Sequence, residues 1–193
     1  MDRKDFVTDP DRTQRFQAVV LPHLNAAYNL ARWLAGGAQD ADDIVQEAYL
    51  RALRFFDGFT GAEAGDARAW LLAIVRNTYF TEWRRTRGLG HAVEFDDELH
   101  GAADAGEASA AARPDADPLA ILARNDEREL VDRTLRALAP EFREVLVLRE
   151  LEELSYREIA AVAGIPIGTV MSRIARGRRM FFEAFLRLGG ERS

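Results

Sequence analysis

The chain has 193 residues, a formal net charge of −6 and no cysteine, which excludes disulfides, thiol chemistry and thiolate-held metals. It has no apolar run of membrane-spanning length, and its first residues are mostly polar and charged, so a soluble, cytoplasmic protein is expected. The acidic total argues against an indiscriminate polyanion binder, but nucleic-acid binding follows local potential rather than the sum.

Ala, Leu and Arg dominate, a composition that favours helix, and the fold class expected is all-α. In the first helical stretch Phe16, Val19, Val20, Leu24, Ala27, Leu30, Ala31 and Leu34 keep one face apolar, and Gly36-Gly37 closes it. Pro22 inside this stretch predicts a kink or a late start. Asp40 is a candidate cap for a second helix, with Ile44, Ala48, Ala52 and Phe55/Phe56 inward until Asp57-Gly58. A third helix is expected from about Asp66 to Thr86, burying Trp70, Leu71, Ile74, Val75 and Thr78. No strand pattern of useful length occurs.

Gly88 to Pro118 is rich in Gly, Ala, Asp and Glu and lacks a sustained amphipathic period. Such a segment buries too little apolar surface to offset its ordering entropy, and it reads as a flexible acidic linker. Helical periodicity returns with Leu119, Leu122, Leu130, Leu135 and Leu138. Pro140 is placed as a first helical residue, followed by Phe142, Val145, Leu146 and Leu148.

Ser155 and Glu158 stand at capping-box spacing, so a helix should begin at Tyr156 and turn Ile159, Ala160 and Val162 inward. Ala163-Gly164-Ile165 supplies a short turn in which Gly164 is free to take positive φ. The next helix should bury Ile167, Val170 and Ile174. Two helices at a short glycine-containing turn make a helix-turn-helix. Thr169, Ser172, Arg173, Arg176, Arg178 and Arg179 are left outward, and Gly164 to Phe182 contains no acid. A merely solvated hairpin would intersperse acids; hydroxyls near a helix start and arginines further on suit base edges and phosphates.

Together these pieces resemble the bacterial RNA polymerase sigma factors of the extracytoplasmic-function (ECF) group. "LREL" with "LSYREIAAVAGIPIGTVMSRIARGRR" resembles region four, which reads the upstream (minus thirty-five) promoter element. "DADDIVQEAYLRAL", Asp40 to Leu53, is similar to the region-two helix that docks on the polymerase clamp. "ARAWLLAIVRNTYFTEWRRTRG", Ala67 to Gly88, resembles the segment that recognises and opens the downstream (minus ten) element.

The resemblance implies a region-two domain over 1–88, a linker over 89–118 and a region-four domain over 119–193. It implies polymerase docking through Asp42, Asp43, Gln46, Glu47, Leu50 and Arg51, which avoid the apolar stripe. Without the resemblance these residues read first as a solvated acidic face. Arg76, Asn77, Tyr79, Phe80, Trp83, Arg84, Arg85 and Arg87 become candidates for the downstream element, since rings stack on unpaired bases while arginines hold the backbone. Some of these aromatics, Trp83 above all, have core as the alternative. Upstream contacts fall to Arg149, Tyr156, Thr169, Met171, Ser172, Arg173, Ala175, Arg176, Arg178 and Arg179. Met171 and Ala175 depart from the family, many members having a basic and a larger residue there, which implies a different promoter preference.

Further implications are core RNA polymerase, promoter DNA and an anti-sigma factor as partners, with no cofactor or metal. In the family the linker threads the polymerase cleft; here Glu94, Asp96, Asp97 and Glu98 contribute to a polyanionic stretch able to occupy a channel built for nucleic acid. Two competing classes are an operator-binding helix-turn-helix dimer, which leaves the first three helices without a role, and an enzyme. For the latter, His23, His91 and His100 are scattered, without a metal-binding, phosphate-binding or nucleophile motif.

Overall fold

Pro22 divides the first helical stretch in two. In the computed structural model, which describes residues 10–61, 64–86 and 118–190, helix α1 (Pro10–Val20) ends in one 3-10 turn, Leu21–His23, and α2 (Leu24–Ala35) follows. The proline lacks the N–H that an unbroken ladder needs. Gly36 closes α2 in the left-handed region at φ 81°, its N–H donating to the Arg32 carbonyl, a conformation that costs a glycine little.

Helix α3 (Ala38–Phe55) starts after the extended Gly37. Asp40 was expected to cap it but lies within its first turn, where its charge opposes the helix dipole's positive end instead. Helix α4 (Ala64–Thr86) begins slightly before the expected Asp66. Then come α5 (Pro118–Ala137), α6 (Pro140–Leu146) with Pro140 at its start, a π-helical turn Val147–Leu151, α7 (Tyr156–Ala163) and α8 (Ile167–Gly190). The described residues contain no strand, and the fold is all-α. The expected linker, Arg87, and the side chains of Leu119 and Leu122 lie outside what is described.

Helices α2, α3 and α4 bury Leu30, Leu34, Ile44, Ala48, Leu71 and Val75, and α1 lays Phe16 edge-on to Phe56 with centroids 5.3 Å apart. Three apolar side chains expected inside are exposed: Leu24 opens α2 directly after the proline turn, Phe55 yields the buried place to Phe56, and Ile167 sits at the open first turn of α8. In the second unit α8 runs close against α6. A β-carbon on Gly177 would lie 3.3 Å from Leu146, so glycine permits that approach.

The apolar core does not stop at the boundary between the units. Val145, Val147, Leu148, Leu154, Ile159, Val162, Val170 and Ile174 belong to the same cluster as the α2–α4 residues. Trp33 of α2 also packs on the small cluster of Leu135, Leu138 and Leu146. Both units therefore exclude water together.

Candidate nucleic-acid and polymerase interfaces

The capping box forms as its spacing predicts. The Glu158 N–H donates to Ser155 Oγ at 3.2 Å, and the Ser155 N–H donates to Glu158 Oε2 at 2.6 Å. Gly164 ends α7 at φ 63° and ψ 38°, and Ile165 donates back to the Ala160 carbonyl. The chain then turns so that α7 and α8 are bent by 101°. Val170, Ile174, Gly177 and Ala184 hold α8 against the core, and the opposite side faces solvent.

On that outer side the structure brings together Met171, Ser172, Ala175, Arg176 and Arg179, with Thr169 and Arg173 half-buried at its edge. Ser172 Oγ donates to the Thr169 carbonyl at 3.0 Å. Arg178 reaches back to Glu150 with two bonds of 2.6 and 3.0 Å, and Arg179 lies 4.0 Å from Glu183. Both pairs are exposed, so screening leaves them weak and either arginine can exchange its carboxylate for a phosphate. Glu150 comes from the turn before the helix-turn-helix, and inspection of the acid-free stretch alone misses it. Arg149 is engaged within the fold: it donates to the Leu154 carbonyl at 2.8 Å and lies over the Tyr156 ring at 5.2 Å, holding the start of α7.

On α3, Asp42, Asp43, Gln46 and Leu50 are exposed, Leu50 at 55 %, while Glu47 and Arg51 pair at 2.8 Å along the helix. A large apolar side chain among carboxylates on an otherwise solvated face is the composition of a protein-docking surface.

Among the α4 candidates, for whose aromatics both a stacking surface and core were open, the structure places the rings inward. Tyr79 and Phe80 are buried, Trp83 and Arg84 are half-buried, and among the described candidates only Arg85, paired with Glu82 at 2.8 Å, is exposed. Tyr79, Phe80 and Trp83 form an edge-to-face series, and the Arg76 guanidinium lies 4.7 Å from the Phe80 ring. Arg76 donates through Nε to Glu144 Oε1 at 2.6 Å and through Nη1 to Asn77 Oδ1 at 3.0 Å. The second unit meets α4 on the side of Arg68 and Arg76.

Several residues of that seam were not legible as functional. Glu144 is fully buried; burial pushes its carboxyl above the ordinary range against the pull of Arg76, and its Oε2 has no hydrogen-bond partner. Arg68 Nη2 donates to Glu152 Oε2 at 2.5 Å, and Asn29 Nδ2 to Glu152 Oε1 at 3.4 Å. Arg143 uses all five of its N–H groups on carbonyls: Leu135, Arg136 and Leu138 at the end of α5, and Trp33 and Leu34 at the end of α2. The sequence signal was the adjacent pair Arg143-Glu144 lodged in the apolar run from Phe142 to Leu148. Among the described residues no group of three or more His, Asp or Glu is placed to hold a metal, and no single helix is long and apolar enough to cross a membrane.

A capped helix-turn-helix with an arginine-rich outer face, carried beside a second helical unit, has the architecture of a transcription protein of the helix-turn-helix class. Comparisons narrow this. Residues 19–88 match the model for Sigma-70 region 2, and residues 128–181 match that for Sigma-70 region 4. The ECF RNA polymerase sigma-E factor of Escherichia coli is 34% identical over 77% of this chain and 74% of its own length. The ECF RNA polymerase sigma factor SigE of Mycolicibacterium smegmatis is 32% identical over 91% of this chain, which spans 63% of that protein. Among solved structures, the sigma factor RpoE of Bartonella quintana, captured with the anti-sigma factor NepR, matches with a TM-score of 0.62 at 26% identity, covering 89% of this chain and 96% of its own. CnrH, captured with the cytosolic domain of CnrY, gives 0.56 at 26% identity, over 89% and 87% of the two chains. The chain belongs to the sigma-70 family, in its ECF group, whose members direct RNA polymerase to promoters.

Proposed function

We propose that this chain binds core RNA polymerase through the exposed α3 face, directs it to a defined set of promoters and helps open them, while the phosphodiester chemistry stays with the polymerase. Residues 1–88 would form the docking and melting domain, 89–118 the tether and 119–193 the domain reading the upstream element. The observation that carries the reading is the capped α7–α8 helix-turn-helix, whose outer face offers Ser172, Arg176 and Arg179 to the major groove.

Docking would rest on Leu50 with Asp42, Asp43 and Gln46. Opening would rest on α4: base stacking on an aromatic ring is worth about 1–3 kcal/mol per base, comparable with unstacking one. Two reading heads on one chain make the second DNA contact intramolecular. An anti-sigma partner is proposed because RpoE, the similar structure, was captured with the anti-sigma factor NepR.

The test is run-off transcription with purified core polymerase and genomic promoter fragments, wild type beside Arg173→Ala/Arg176→Ala. Start sites that need the chain and weaken in the variant are expected. Specific duplex binding by the chain alone, with no effect on initiation, would replace this reading with an operator-binding regulator.

A further inference from the structure

The outer side of α8 carries two lines of different chemistry. Ile167, Met171 and Ala175 follow one another at intervals of four, so each stands about one turn beyond the last. All three are exposed, Ile167 at 44 % and Met171 at 53 %. On the other flank run the exposed Ser172, Arg176 and Arg179. Gly168 lies between the lines at the first turn, where even a β-carbon would meet nothing within 4 Å.

The core does not use the apolar line, because Val170, Ile174 and Gly177 form the buried side of α8. Its surroundings are basic: Arg176, Arg178 and Arg179 are exposed, and no acid occurs from Gly164 to Phe182. A partner that suits both features offers anions around an apolar contact. Duplex DNA does so, with phosphates along the groove walls and one apolar group on the base edges of the major groove, the C5-methyl of thymine.

We propose that Met171 is the specificity-determining residue of this reading head and selects a thymine by its methyl group. Ile167 and Ala175 extend the apolar line, and Ser172 and Arg176 hydrogen-bond base edges on the other flank. The inference rests on the proposed reading of the upstream element by α8 and names a base that it selects. A basic side chain at this place would seek guanine O6 and N7, whereas a thioether has no donor for them and gains by covering a methyl group. Four residues of helix rise about 6 Å, close to two base steps of about 3.4 Å, so neighbours on the line reach thymines about two base pairs apart. Burying one methyl group is worth about four-fold in affinity. Because the contact is to the methyl alone, 5-methylcytosine, which carries the same group at the same place in the groove, should satisfy Met171 as thymine does.

The experiment uses holoenzyme assembled from the full chain and purified core polymerase. Promoter fragments randomised over the upstream element are selected with the wild type and with Met171→Arg, whose fold is checked by circular dichroism. Expected are a thymine at one fixed position for the wild type and a guanine there for the variant, the other positions unchanged. Each thymine selected by the wild type is then replaced in turn by cytosine and by 5-methylcytosine. At the position read by Met171, cytosine should weaken binding about four-fold and 5-methylcytosine should restore it, while Met171→Ala should bind the two alike.

A selected sequence unchanged in folded Met171→Arg, or equal binding of the cytosine and 5-methylcytosine duplexes by the wild type at every position, overturns the proposal. The second comparison uses the wild type alone, so it decides the matter even where Met171→Arg does not fold. Holoenzyme that selects no sequence sinks the promoter reading and this inference together. A chain that binds its duplex without polymerase and leaves initiation unaffected sinks the promoter reading alone, and the methyl comparison is then made on the chain by itself.

Discussion

Replacing Arg143 by methionine keeps most of the side-chain volume and removes every donor. Five carbonyls lose their partner, three at the end of α5 and two at the end of α2. At about 1 kcal/mol each, below the usual range for a charged donor because carbonyls at helix ends partly regain water, the loss is about 5 kcal/mol. Roughly 3 kcal/mol of this falls within the second unit and roughly 2 kcal/mol across the seam. For a chain of this size each kcal/mol moves the melting temperature by about 2–4 °C, so a drop of about 10–20 °C is expected in a circular-dichroism melt. Arg143→Lys keeps the charge beside both helix ends but offers three donors from one point, and should recover less than half of the loss. A drop below about 4 °C for Arg143→Met would refute the reasoning, because it would mean the five carbonyls are satisfied equally well by water.

Gly164→Ala should cost about 1 kcal/mol of thermal stability through its left-handed backbone alone, since a β-carbon there meets nothing within 4 Å; Gly164→Asn should cost less in the same melt. Met171, 53 % exposed on the reading face, is expected to pack on a thymine methyl in the upstream element. Deoxyuridine replacing that thymine should weaken duplex binding several-fold in holoenzyme gel shifts, and Met171→Ala should abolish the difference. Burial raises the Glu144 carboxyl above the ordinary glutamate range, with Arg76, Arg173 and Glu141 about it. The folded chain therefore binds that proton more tightly than the unfolded chain, so this group's contribution to stability is lost as pH rises from the ordinary glutamate range through the raised value. Glu144→Gln should flatten the pH dependence of the melting temperature, and a profile unchanged by the substitution would count against the assignment.

Local chemistry decided much of this molecule before any tertiary contact. Pro22 breaks a helix because it has no N–H, Ser155 and Glu158 cap one because their spacing closes two reciprocal bonds, and Gly164 turns the chain because it carries no β-carbon. The reading face of α8 was legible for the same reason: the inward period of Val170, Ile174 and Gly177 leaves Ser172, Arg176 and Arg179 outward. The α4 aromatics were not, since a run such as Tyr79-Phe80 reads alike as a stacking surface and as core until something covers it. Tyr79 and Phe80 share one core with residues of both units, and Arg76 beside them is held by Glu144, more than sixty positions away along the chain. No periodicity within α4 encodes that distance. The sequence alone therefore determined the elements, the helix-turn-helix and the exposed face of α3, each set within a few helical turns. Which arginines are free and which are held, and which rings face solvent, were decided by the packing of one unit on the other, because burial and ion pairing depend on neighbours that only the tertiary structure supplies.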